Sequence, residues 1–267
     1  PRGGSGGSDD SGEVESLAVR GVAREAGSAE QCDVETIEAL SDRHDDVAQF
    51  VIVETATFDD QVGDTFVATQ RDDEWICQTE RLPAHLGSNG TRPLEDRRFG
   101  DGTTPAGVFP LGRVDAWDGQ SVNAFGNEPD PGTRAGLDYR DVQPEDCWGS
   151  TPGTADNTRP ADDPICDPPD EPLENRGAVY AHAVIIGANL DPETGETSGD
   201  EPGEIGYAAA TFLHHHRLGD DGRPRPTTVG VSLAIDDLRS VIRLLDPELD
   251  PHFAIGPTDW LRNGDTD

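Results

Sequence analysis

The sequence predicts a mainly β single domain with one or two packed helices and a long loop-rich insertion. Three observations point there. Short runs rich in Val, Ile, Thr and Phe alternate apolar and polar positions, as half-buried strands do. One segment carries clear helical spacing. Between residues 116 and 175 the chain is dominated by turn-forming residues and acids, over a length unusual for an ordinary connection.

Taken in order, residues 1–30 form a Gly, Ser and Asp-rich leader expected to be flexible and unpacked, a linker in character. The domain is expected to occupy residues 31–267. A short amphipathic helix is expected over Val34–Leu40. Strands follow at Val47–Thr57, Asp64–Thr69 and Glu74–Gln78, the last two as a hairpin turning at Arg71-Asp72-Asp73. More strand signal lies at Val179–Gly187, Ala209–His215, Val229–Leu233 and Phe253–Ile255. The clear helix is Ala234–Leu245, with Ile235, Leu238, Ile242 and Leu245 three or four apart. Asp236 and Asp237 favour its positive N-terminal end, and Asp246-Pro247 stops it.

Composition excludes several classes. The formal charge is −34, from 54 acidic and 20 basic residues, all the latter Arg. Such a field repels phosphate backbones and anionic headgroups, so no nucleic-acid partner is expected. The longest clean apolar run, Ala183-Val184-Ile185-Ile186, is far too short to span a bilayer. An acid-rich, Lys-free surface suits high salt, where counterions screen self-repulsion. The number of copies in an assembly is left open.

Four cysteines occur without a C-x-x-C pair, which argues against zinc ribbons and thioredoxin-like redox chemistry. Cys147 and Cys166 bracket a Pro, Gly and Asp-rich stretch with little else to hold it, so they are expected to pair, leaving Cys32 with Cys77. Three connectivities, and free thiols, stay open at this point. Disulfides would place the protein outside the cytoplasm.

Two segments carry candidate chemistry. Gly100–Leu111 (GDGTTPAGVFPL) specifies a rigid turn feeding an apolar strand, without the Lys of a phosphate loop. Phe212-Leu213-His214-His215-His216 precedes Thr227–Leu233 (TTVGVSL). On a strand His214 and His216 share a face. With His182 they could form a zinc site, although no zinc-ligand spacing is present, and no cofactor or metal is expected.

Together these segments resemble the L,D-transpeptidase-like (YkuD-type) family of secreted enzymes that cross-link peptidoglycan. The pieces are Gly100–Leu111, Tyr180–Asn189, Phe212–His214, Thr227–Leu233, Asp237–Pro247 and Ile255-Gly256, in the family's order, over residues of about 45–257. The resemblance implies a β-sandwich packed with a helix, an extracytoplasmic location, and peptidoglycan stem peptides as partner. It implies a cysteine that attacks a stem-peptide carbonyl after a histidine takes its proton. His214 matches that base. The nucleophile does not match: the ungapped register puts Gly230 in its place, a one-residue slide puts Val231, and no Cys follows Cys166. Gly102, Thr104, Gly107, Phe109 and Phe212 are the expected substrate-binding positions.

Three expectations follow. The first is a degenerate domain that binds stem peptides in the old cleft. The second is an acyltransferase or peptide hydrolase using His214 with a relocated nucleophile. Ser232 is the weak substitute, roughly 6–7 Å along the strand from the missing position; Thr227 and Thr228 are comparably displaced, and Cys147 or Cys166 could swing in from the long loop. The third is a zinc amidase built on His182, His214 and His216.

Overall fold

The computed structural model describes residues 32–98, 100–115, 119–144, 146–148, 171–190 and 210–264. The leader and Cys166 lie outside the described residues, as does the whole stretch between Trp148 and Glu171. The chain is mainly β, as the alternation implies. Its first half comprises α1 (Val34–Ser41), β1 (Gln49–Thr55), β2 (Val62–Arg71), β3 (Glu74–Cys77), β4 (Leu82–His85), β5 (Thr91–Pro93) and β6 (Thr104–Pro110). Short strands follow: β7 (Val114–Asp115), β8 (Ser121–Val122), β9 (Ala124–Gly126), β10 (Tyr139–Asp141), β11 (Cys147–Trp148) and β12 (Glu171–Pro172). The last part holds β13 (Ala183–Ile185), β14 (Phe212–His215), β15 (Val231–Leu233), α2 (Ile235–Leu244), β16 (Pro251–Pro257) and α3 (Thr258–Asn263).

One continuous sheet runs β10-β9-β13-β14-β15-β4-β2-β1-β16-β6-β5, with β3 paired to β2. It folds back on itself: Leu111, just past β6, bridges Ile186, just past β13. Gly112 N donates to Ile185 O and Gly187 N to Pro110 O, each at 2.9 Å. The layers of the expected sandwich are therefore two arms of one sheet. Both arms and α2 share a core, in which Val51, Val53, Phe253 and Ile255 join Leu213, Val231, Leu233 and the Leu238–Val241–Ile242 face of α2. The helical spacing at 234–245 thus marks a buried stripe.

Strand β1 is buried along its whole length. Alternation sends Val51 and Val53 to that shared core, and Phe50 and Ile52 to a second core beneath α1 and α3. There Ile37, Leu40 and Leu261 close over Phe66 and Ala68. Asp33 caps α1 by accepting from Thr36 N at 3.1 Å, and its other oxygen pairs with Arg262 of α3. The Cys32–Cys77 disulfide ties the start of α1 to β3, as expected. Cys147 is disulfide-bonded too, while its expected partner Cys166 lies outside the described residues. No helix among the described residues is long and apolar enough to cross a membrane.

Two expectations need correction. The segment around 116–175 contributes β8 to β12, and β9 and β10 extend the main sheet. Its anchor is the buried Arg140–Asp146 pair, bidentate at 2.8 and 2.9 Å, which no apolar periodicity announces. Conversely, the strand expected at 179–187 shrinks to Ala183–Ile185. The Tyr180 and Ala181 carbonyls are taken by Asn127 N and Glu128 N instead of a neighbouring strand.

Candidate functional site

The Gly100–Thr104 turn is built around a buried arginine. Arg97 has no exposed surface and donates to Thr103 Oγ1 at 3.2 Å, to Thr103 O at 2.9 Å and to Asp101 Oδ1 at 3.2 Å. Asp101 also accepts from Thr103 N and Arg98 N at 2.8 and 2.9 Å. Burial works against the Asp101 charge, but these bonds and the Arg97 guanidinium outweigh it and hold its pKa below the ordinary value. Gly102 has φ +78°, and a side chain there would meet Ser88 Oγ and Asn89 Nδ2 at 2.8 and 2.9 Å, so glycine is required.

This turn delivers Thr104 onto Gly230. Thr104 Oγ1 accepts from Gly87 N and donates to Gly230 O, both at 2.8 Å. Thr227 Oγ1 donates to the same carbonyl at 2.6 Å. Segments more than a hundred residues apart in sequence therefore converge on one peptide group.

His214 completes the convergence. Strands β14 and β15 are parallel, with His214 opposite Ser232. His214 Nδ1 lies 2.8 Å from His215 O, and a carbonyl only accepts, so Nδ1 carries the proton. Nε2 is left with the lone pair. A Cβ built on Gly230 falls 3.2 Å from that Nε2 and 3.1 Å from Cδ2. The basic nitrogen thus abuts the position where the resemblance puts a nucleophile. The space is closed, however, since the same Cβ would run into Phe212 O. Burial drives the His214 pKa down to about 4, so the ring is neutral at pH 7.

His216 shares the face of His214, as strand alternation implies, and pairs with Ser232. The His216 Nδ1 to Ser232 Oγ distance is 3.0 Å, and Ser232 has no exposed surface. The weak substitute nucleophile therefore faces His216 rather than the expected base. His85, from the unforeseen strand β4, stands edge-on to His216 at 5.1 Å between centroids, and its buried Nδ1 has no partner among the described residues. Burial first, then the other imidazoles, push the His216 pKa to about 4.

Other expected positions fall elsewhere. Phe212 is fully buried against Phe125, Trp148 and Tyr180, so its ring is core and only its carbonyl touches the site. Gly107 and Phe109 line a separate cavity of about 290 Å³ with His44, Leu94 and Trp260. His182 does not join His214 and His216: Arg239 Nε donates to its Nε2 at 3.2 Å, and its Nδ1 meets Tyr139 Oη at 2.7 Å. Among the described residues no three His, Cys, Asp or Glu side chains are grouped to hold a metal ion. Sequence reasoning missed Arg97 and His85. A fully buried arginine leaves no periodic signal, and the Pro83-containing β4 lacks β-branched residues.

These features define a mainly β protein with a histidine-lined parallel strand pair, clamped at Gly230 by two threonines. No family model, curated protein or solved structure matches the chain.

Proposed function

We propose that this protein is an extracytoplasmic L,D-transpeptidase-like domain that has lost its nucleophile and binds peptidoglycan stem peptides without acylation. One observation carries the proposal: the unprotonated Nε2 of His214 faces the β-carbon position of Gly230 at 3.2 Å. A base held by its other nitrogen and aimed at a nucleophile is the arrangement that cysteine acyl transfer requires. Here the base and its orientation are kept and the thiol is absent. Thr104 supports the same alignment, because the G-D-G-x-T-P motif meets the T-T-V-G-V-S-L motif through its hydroxyl. The Cys32–Cys77 disulfide favours an oxidising compartment.

The test uses the whole chain with purified muropeptides and a carbapenem. Retention of muropeptides without a mass increase from the carbapenem is expected; a stoichiometric covalent adduct would overturn the loss of the nucleophile. Failure to retain muropeptides would overturn the ligand.

A second reading rests on the Ser232–His216 pair, which places a hydroxyl 3.0 Å from an imidazole nitrogen. It would make the protein a serine-dependent acyltransferase or peptide hydrolase. Turnover of a donor stem peptide, lost in both Ser232→Ala and His216→Ala, would support it. No turnover by the wild-type chain removes it.

A further inference from the structure

A polar pocket of about 520 Å³ lies against the Gly100–Thr104 turn, lined by Asp59, Ser88, Asn89, Arg92, Asp101 and Thr103. One wall is preorganised. Asp101 and Thr103 are bound up with Arg97, and Asn89 Nδ2 donates to Asp101 O at 2.7 Å. The remaining groups are unengaged. Among the described residues, the side chains of Arg92, Asp59 and Ser88 make no ion pair or hydrogen bond.

The pocket adjoins the His214–Gly230 group through the backbone. Ser88 N donates to Thr227 O at 3.1 Å and Gly87 N to Thr104 Oγ1 at 2.8 Å. Both threonines in turn hold Gly230 O. A guanidinium and a carboxylate in one pocket, without contact to each other, select against simple ions. An anion meets Asp59 and Asp101, and a cation meets Arg92. A ligand carrying both charges satisfies both sides.

We infer that this pocket is a subsite for a zwitterionic amino acid or short peptide. Arg92 and Ser88 Oγ receive the carboxylate, and Asp59 receives the ammonium. The inference deepens the function proposed above and rests on it only in taking the zwitterion to be part of a bound stem peptide.

The experiment titrates the full chain, by NMR or calorimetry, with alanyl-alanine, its N-acetyl form and its C-terminal amide. The free dipeptide is expected to bind, and capping either end to weaken binding roughly tenfold or more, the loss of one charge-assisted hydrogen bond. Arg92→Gln should abolish the penalty of amidation and keep that of acetylation; Asp59→Asn should do the reverse. Both positions are exposed, so the variants are expected to keep the wild-type circular dichroism. Equal binding of the three probes, no binding at millimolar concentration, or no effect of Arg92→Gln would overturn the inference. Muropeptide retention, measured in parallel, separates the two claims. Retention unaffected by both substitutions sinks the subsite's assignment to the stem peptide and spares the proposed ligand. Dipeptide binding with both capping penalties but no muropeptide retention does the opposite.

Discussion

Adding one methyl group at Gly230 tests the site's geometry directly. In Gly230→Ala the new Cβ would stand 3.1 and 3.2 Å from His214 Cδ2 and Nε2 and would run into Phe212 O. The ring can yield, but the carbonyl belongs to β14, which is paired on both edges. Relief therefore requires β14 and β15 to separate, which loosens the Thr104 and Thr227 bonds to Gly230 O. Overpacking of this kind costs about 1–3 kcal/mol. For a domain of this size that lowers Tm by roughly 2–12 °C, at about 2–4 °C per kcal/mol. The assay is urea and thermal unfolding in buffer salty enough to screen the chain's charge, on wild type, Gly230→Ala, His214→Ala and the double variant. Truncating His214 removes the ring part of the clash and leaves the backbone part. The double variant should then be more stable than additivity predicts, by about 0.5–1.5 kcal/mol. A Gly230→Ala protein as stable as wild type, or strict additivity, would refute the contact between His214 and the nucleophile position.

Acid should destabilise the fold well before its carboxylates are protonated. His214 and His216 have folded pKa values of about 4 against an ordinary 6.5, so the neutral rings are the ones the fold prefers. Their stability contribution is complete above pH 6.5 and is lost as pH falls towards 4, on the order of 3 kcal/mol for each ring. Urea midpoints between pH 7 and 4.5 measure it; a flat profile, or one unchanged by His216→Ala, counts against the buried imidazole cluster. Asp146→Ala leaves the Arg140 guanidinium, 5% exposed, without its bidentate partner. A loss of about 3–5 kcal/mol is expected from chemical denaturation, and a change under 1 kcal/mol would contradict the pair's burial. Replacing Cys32 and Cys77 by Ser opens a link across 45 residues. It should lower unfolding free energy by about 2–4 kcal/mol; equal stability of reduced and oxidised wild type would disprove the modest role given to that link.

Elements whose own side chains carry a period were legible in the sequence. The stripe Ile235, Leu238, Ile242 marked α2 because its partner surface is a continuous apolar core. The Asp72-Asp73 hairpin turn was legible because both residues adopt positive φ, which Asp tolerates. Strand β4 was not, because its single bridge to β15 and its pairing to β2 come from tertiary placement rather than propensity. The same division holds at the site. The sequence put His214 and Gly230 on separate expected strands, Ala209–His215 and Val229–Leu233, and strand periodicity put His216 on the face of His214. It could not show that Ser232 faces His216, since pairing between strands depends on a register that no single segment encodes. Nor could it separate Phe212, whose ring is core, from a residue facing ligand.

The burial at this site sharpens what kind of protein it serves. A working acyltransferase needs room for a tetrahedral carbon beside its nucleophile and a base whose pKa lies near the working pH. His214 meets neither condition, with 8% exposure, a pKa of about 4, and no space at Gly230 for even a β-carbon. Yet its Nδ1 anchor and the two threonine hydroxyls on Gly230 O are all formed. In a closed site these bonds stabilise the β14–β15 pair and fix the turn that walls the Asp59–Arg92 pocket. Under the binding function proposed above, geometry that would orient a nucleophile would serve instead to hold a binding surface rigid. Rigidity of that kind lowers the ordering cost of binding.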